Sequence, residues 1–205
     1  MRITLSILII ILLSACSKEQ KHDNTYDLII NRIELNYIQN KPDSALYNVK
    51  FALFKAKVNE TLLVKALTAQ ALVYSYYFPN KNDKLIDSII TLSIAHKNKY
   101  YEAYAYLLQS LTYINTDTKK ASVCAERALS IAQTNSIPDL TAYALANKSE
   151  LLRGEGNETM ALVYAIKSKT AFDKILTKLS PIGKYFLGSL ANTMGIIYKN
   201  RGEYA

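Results

Sequence analysis

The side chains of this chain that could take part in catalysis or metal binding are few and far apart. Its 205 residues include two histidines, His22 and His96, and two cysteines, Cys16 and Cys124. Metal sites need such side chains at short, regular spacing, and neither pair has it. A phosphate-binding loop needs glycines after a strand, whereas the Gly-Glu-Gly segment at 154–156 lies between two predicted helices. The sequence therefore predicts a protein that is not an enzyme and that needs no metal or cofactor.

Cys16 is the residue whose surroundings predict a covalent reaction. Arg2 and an apolar run over 3–13 precede it, and Leu13-Ser14-Ala15 comes directly before it. The run is shorter than the ~20 residues of a membrane-spanning helix but is typical of a signal-peptide core. A large aliphatic residue, two small residues and Cys resemble the lipobox of bacterial lipoproteins. The resemblance implies that 1–15 is a signal peptide and that Cys16 carries a diacylglycerol anchor. A plain secretory signal with an incidental cysteine is the alternative.

Residues 16–25 are interpreted as the lipidated cysteine and a flexible tether, because they are polar and have no apolar face. Lys18-Glu19 partly matches the signal that directs lipoproteins of the Bacteroidota to the cell surface. The resemblance implies a membrane-anchored envelope protein facing the periplasm or the cell surface. The choice of membrane and face is left open.

The composition favours helices, because half of the residues are hydrophobic while Gly and Pro number only six and four. The net charge of +8 is spread thinly along the chain, which indicates a solvated surface and no nucleic-acid partner. Cys124 lies in an apolar helical setting and is expected to be a buried, inert thiol.

Helical periodicity extends over 26–205, and a small residue followed by Tyr three positions later recurs along it. The last instance, Gly195 with Tyr198 and then Gly202, resembles the first helix and turn of a tetratricopeptide repeat. The resemblance implies an all-α fold of antiparallel helix pairs stacked as a right-handed α-solenoid, with about four and a half pairs over 26–205. The aligned pairs are Glu34 with Tyr37, Ala71 with Tyr74, Ser110 with Tyr113, Ser149 with Leu152, and Gly195 with Tyr198. Glu34 and Leu152 depart from the pattern.

Individual residues have expected roles in this architecture. Gly195 should let a partner helix approach closely, and Gly202 should allow the chain to turn. Pro42 suits the first turn of a helix, and Asn157 suits an N-cap that opens a long helix over 160–179. Alanines that share one helix face should let neighbouring helices pack closely; they are Ala121, Ala125, Ala128 and Ala132.

First helices of tetratricopeptide repeats line a concave groove in which partner peptides lie. The resemblance therefore implies a protein or peptide partner and a groove on the first helices. Tyr104 and Tyr143, 39 residues apart, are expected to be exposed there and to contact the partner, although many tyrosines should instead pack between helices. The implied groove residues are Lys65, Thr68, Leu72, Tyr104, Leu107, Leu111, Tyr143, Ala146, Glu150, Asn192 and Ile196.

The predicted function is that of a non-catalytic, lipid-anchored envelope scaffold that binds a protein or peptide. The alternative is the periplasmic sensory part of a membrane-bound regulator with a histidine-kinase or DNA-binding output domain after residue 205. No second helix follows Gly202, so the 205 residues are expected to be the N-terminal part of a longer product, or the last helix should pair with another protomer or fray. That helix would otherwise leave its apolar side uncovered, namely Leu187, Leu190, Met194 and Tyr198.

Overall fold

The computed structural model describes residues 24–57 and 59–203, so the predicted signal peptide, Cys16 and most of the tether lie outside the described residues. The described chain forms nine α-helices and two short 3-10 turns, with no strand among these residues. The prediction of an all-α fold is confirmed. The helices are α1 (Asn24–Ile38), α2 (Pro42–Lys55), α3 (Glu60–Tyr77), α4 (Asn82–Ala95), α5 (Lys99–Tyr113), α6 (Thr118–Thr134), α7 (Pro138–Gly154), α8 (Glu158–Asp173) and α9 (Pro181–Asn200).

The helix starts follow local sequence signals. Proline occupies the first turn of α2, α7 and α9, where its missing N–H costs no hydrogen bond. The prediction for Asn157 as an N-cap is confirmed, since its side chain accepts a hydrogen bond from the Met160 N–H. Four further helices have a capping side chain of the same kind, at Asn59, Asn98, Asp117 and Ser180.

Five helices end in the same way, with one residue of positive φ that reverses the chain. The residue is glycine at two of the ends, Gly156 with φ 79° and Gly202 with φ 69°. At each end the following N–H bonds to the carbonyl five residues earlier, as in a Schellman motif. The turn predicted at Gly202 is confirmed. The other three positions are Asn40, Lys97 and Ser136.

The prediction of a long helix over 160–179 is wrong at the C-terminal end. Helix α8 stops at Asp173, and a 3-10 turn over Leu176–Lys178 leads to Ser180, the N-cap of α9. The extra residues before the last predicted repeat are therefore a connection and not an additional helical turn.

The packing alternates between odd-numbered and even-numbered helices. Each even-numbered helix contacts the odd-numbered helices before and after it in the chain. Each odd-numbered helix also contacts the next odd-numbered one, and α9 contacts α1. The odd-numbered helices thus form an inner set whose first and last members meet.

Small side chains permit this close packing. The alanines predicted to face a neighbour on α6 are all buried, with an exposed fraction of 2% or less. Ala71, Ser110 and Ser149, which occupy the small position of the predicted repeat, are fully buried. One hydrophobic cluster extends from α3 to α9, and a second joins α1, α2 and α3.

The prediction for Gly195 is wrong, because a Cβ there would meet nothing within 4 Å. The apolar side of α9 is partly covered in the structure: Leu190 is buried, and Leu187, Met194 and Tyr198 are half-buried. None of the helices formed by residues 24–57 and 59–203 is long and apolar enough to cross a bilayer.

Candidate functional site

The contact between α1 and α9 determines the shape of the space enclosed by the odd-numbered helices. Glu34 of α1 accepts a hydrogen bond of 3.1 Å from the N–H of Ile182, in the first turn of α9. An acidic side chain is favourable there because the first N–H groups of a helix lack helical partners. Tyr37 and Tyr185 contact each other edge to face, with ring centroids 5.9 Å apart. Glu34 departs from the repeat pattern at the position where the two ends of the inner set meet.

Glu34 is a buried carboxyl group, with 8% of the residue exposed. Burial raises its pKa, and the Ile182 N–H, the Ser180 side chain and the charge of Lys65 partly oppose this effect. The group therefore holds a proton more readily than a carboxyl group in water.

The residues predicted to form an open groove are largely buried in a layer midway along the inner helices. Tyr104 and Tyr143 are only 7% and 3% exposed, so the expectation that both rings are exposed is wrong. Tyr143 stacks on Phe186 of α9, with ring centroids 4.9 Å apart. The physical reason is that α9 covers the side of α7 that an open groove would expose. Thr68, Leu72, Leu107 and Ala146 are also buried in this region.

Gly183 permits the close approach of α9 and α7. A Cβ at this position would clash with the Tyr143 hydroxyl oxygen, at a separation that real Cβ atoms essentially never show. Gly183 lies two residues after Pro181 at the start of α9, but nothing local in the sequence relates it to Tyr143 on another helix. The close approach was predicted at Gly195 and occurs at Gly183.

Two pockets lie at opposite ends of the inner helices. The charged opening, of about 450 Å³, lies near the N-terminal ends of α5, α7 and α9. Its acidic groups have partners: Asp27 forms an ion pair with Lys65, and Asp139 accepts a 2.9 Å hydrogen bond from Tyr100. Burial, and then the neighbouring Asp139, raise the pKa of Tyr100. A smaller pocket of about 200 Å³ adjoins it and shares Glu34, Lys65 and Tyr104.

The tyrosine opening, of about 350 Å³, lies near the C-terminal ends of the first four inner helices. Three tyrosines from three different helices line it: Tyr37, Tyr76 and Tyr185. Tyr37 contacts the other two rings edge to face, with centroids 6.5 and 5.9 Å away. Tyr76 and Tyr185 are 68% and 43% exposed, so aromatic surface remains available to a ligand.

The polar groups of the tyrosine opening have only part of their possible hydrogen-bond partners. Asn147 is 3% exposed; its amide nitrogen donates to Ser110, while its carbonyl oxygen has no hydrogen-bond partner among the described residues. Apart from the tyrosines, Glu150 is the only ionisable residue that lines the tyrosine opening. Partial burial tends to raise the pKa of Glu150, but hydrogen bonds from Arg153 and Thr193 outweigh this and lower it. Glu150 is thus charged and already paired.

The comparisons with known proteins leave the chain without a family. No protein-family model, curated protein or solved structure matches it.

The predicted groove residues outside the buried layer separate into three groups. Lys65 lines the charged opening and its neighbouring pocket, and Leu111 and Glu150 line the tyrosine opening. Asn192 is exposed and Ile196 is half-buried on α9, away from the lining of both openings. Tyr37, Tyr76 and Tyr185 were missed as site residues, although tyrosine recurs in the predicted repeat at the position of Tyr37.

The remaining reactive side chains lie elsewhere. Cys124 is 7% exposed and contacts Gln109, so the prediction of a buried thiol is confirmed; burial raises its pKa. His96 lies 3.2 Å from Glu60 at the end of α4. Across residues 24–57 and 59–203, no group of three or more His, Cys, Asp or Glu side chains is arranged to hold a metal ion.

Proposed function

We propose that this protein is a non-catalytic scaffold of the bacterial cell envelope that is anchored by a lipid on Cys16 and binds a peptide segment of a partner protein at the tyrosine opening. In this proposal, the nine helices are tetratricopeptide-like pairs of a right-handed α-solenoid whose odd-numbered helices are the first members of each pair. The alternating contacts of the helices and the small residues at the repeat positions support this arrangement.

The observation that carries the proposal is the exposed aromatic surface of Tyr76 and Tyr185 at the tyrosine opening. The buried Asn147 side chain beside it has a carbonyl oxygen without a partner among the described residues. A buried polar atom without a partner costs about 1–3 kcal/mol. This oxygen has almost no accessible surface, so a ligand that donates a hydrogen bond to it must first displace the side chains that cover it. Tyrosine rings offer apolar contact area at small entropic cost and suit extended peptides. The partner segment should therefore combine an apolar or aromatic residue with a donor such as a backbone N–H, Arg or Lys.

The charged opening is less suited to this role. Its main charged and polar groups already bond to each other across helices, and a ligand would have to break those bonds. Two of its lining residues, Tyr104 and Tyr143, are buried tyrosines that offer little surface to a ligand.

A selection of random hexapeptides displayed on phage, against the purified protein, tests the binding proposal. Selected peptides should bind the parent protein, and Tyr76→Ala and Tyr185→Ala should each weaken binding by about tenfold or more, as interface tyrosines do. Tyr100→Phe, which changes only the charged opening, is the matched control and should bind like the parent. Equal binding to all variants, or no selection above background, would contradict the proposal.

The anchor is tested separately by metabolic labelling with an alkyne fatty acid. The parent protein should take up label and fractionate with membranes, and Cys16→Ser should do neither. Label on the Cys16→Ser protein would refute the anchor and leave the peptide proposal intact.

A further inference from the structure

The outer face of α2 carries a stripe of exposed aromatic side chains. Tyr47, Phe51 and Phe54 are four and three residues apart, so they share one face of the helix. They are 73%, 44% and 60% exposed. The opposite face of α2 packs into the fold through Ala45, Val49 and Ala52, which are all buried.

The exposure of this stripe is unusual within the molecule. Five aromatic residues are prominently exposed among those that the structure describes, and the other two are Tyr76 and Tyr185 of the tyrosine opening. Leaving large aromatic side chains in water forgoes their burial energy, so a cluster of them marks a surface that contacts something apolar.

Lysines surround the stripe. The Nζ of Lys55 lies 5.5 Å from the ring centroid of Phe51, and the Nζ of Lys57 lies 4.7 Å from that of Phe54. Lys50 lies on the other side of the stripe and is also exposed. None of these three lysines takes part in an ion pair within the described residues. Asp43 is the only acid in α2.

We propose that this face of α2 lies on the surface of a bilayer that contains anionic lipids. Aromatic rings flanked by lysines match the interface between acyl chains and headgroups: the rings enter the apolar boundary while the ammonium groups stay at the phosphates. A protein partner would need a face that is both acidic and apolar, whereas a bilayer surface supplies both properties at every point.

The position of α2 in the chain fits this occupant, in a way that adds to the proposed anchor on Cys16. Seven residues, 17–23, separate Cys16 from the start of α1, and they can span at most about 25 Å when fully extended. Helix α1 is 15 residues long, or about 22 Å, and α2 folds back against it. The aromatic face therefore lies within reach of the membrane that would hold the lipid, and its contact would fix the orientation of the whole domain.

The absence of tryptophan from the sequence allows a single-site test. Phe51→Trp is compared with Val123→Trp, which places the same reporter at a 64% exposed position on α6. Each full-length protein is mixed with vesicles of phosphatidylcholine and phosphatidylglycerol whose acyl chains carry bromine, a contact quencher. Tryptophan at 51 should shift its emission to the blue and lose fluorescence, whereas tryptophan at 123 should do neither.

The same contrast is expected for both reporters in the Cys16→Ser background at higher lipid concentration, so the result does not depend on the anchor. In the Cys16→Ser background, Lys50→Gln and Lys55→Gln should each weaken vesicle binding about fivefold. The matched control is Lys119→Gln on α6, which should bind vesicles like the parent. Equal quenching at 51 and 123, or none at 51 at saturating lipid, would overturn the proposal. So would a blue shift at 51 without vesicles that rises with protein concentration, since it would indicate pairing of two copies.

Discussion

The two openings are built from the same inner helices and differ in how their polar groups are used. At the charged opening, Asp27, Glu34 and Asp139 are each bonded to a group on another helix. At the tyrosine opening, the carbonyl oxygen of Asn147 has no partner among the described residues, and aromatic rings face solvent. One end of the inner set therefore holds the helices together, while the other retains capacity for a ligand.

The largest expected effect lies in the buried layer between the openings. Tyr143→Ala removes a ring that is 3% exposed and stacked on Phe186, so it should cost about 3–5 kcal/mol. For a domain of this size, that lowers the melting temperature by about 6–20 °C. Tyr76→Ala at the tyrosine opening is the control and should cost about 1 kcal/mol or less, since it loses only edge contacts. Similar melts for the two variants would contradict the division into a buried layer and an open site.

Removal of a tyrosine hydroxyl group should have a smaller effect on stability, and this effect should differ between the two openings. Tyr100→Phe removes the hydrogen bond to Asp139 and should destabilise the fold by about 1–2 kcal/mol, because bonds to charged groups are the stronger ones. Tyr76→Phe should change the free energy of unfolding by less than about 0.5 kcal/mol, as is usual at exposed positions. Urea unfolding of both variants measures the difference. An effect of Tyr76→Phe as large as that of Tyr100→Phe would show that the tyrosine opening is structural too.

The smallest effect concerns the pH dependence of the link between α1 and α9. Because the pKa of Glu34 is raised above its ordinary value of 4.5, the folded protein holds more protons than the unfolded chain between that value and the raised one. The contribution of Glu34 to stability therefore grows as the pH falls through this window. Glu34→Gln keeps an acceptor for the Ile182 N–H but cannot titrate.

The stability of Glu34→Gln relative to the parent should thus be most favourable near neutral pH and should decline as the pH approaches 4.5. Urea unfolding of both proteins at several pH values measures this trend. A difference that is constant with pH, or that moves in the opposite direction, would show that Glu34 is not a buried titrating group.

Local features of the fold were predictable from the sequence because local physics determines them. Pro42, Asn157 and Gly202 were assigned to a helix start, a cap and a turn, and each has that role in the structure. The close-packed alanines of α6 followed from their spacing. These predictions needed only the periodicity of a helix and the hydrogen bonds of its ends.

The openings could not be predicted because they depend on a contact between residues 148 positions apart, Glu34 and Ile182. An alignment of repeats treats each helix pair alike and assumes an open concave surface. The meeting of α1 and α9 buries Tyr104 and Tyr143 instead and leaves the accessible surface at the two ends. Glu34, an exception to the repeat pattern, was the one sequence signal of that contact.

The difference between the openings is tested most directly by hydrogen exchange of the protein with and without a hexapeptide selected for binding. We expect slower exchange of backbone amides over 75–79 and 111–116, which border the tyrosine opening, and unchanged exchange over 27–34 and 175–182. Slower exchange confined to 27–34 and 175–182 would contradict this expectation, because the ligand would then occupy the opening whose groups already bond to each other.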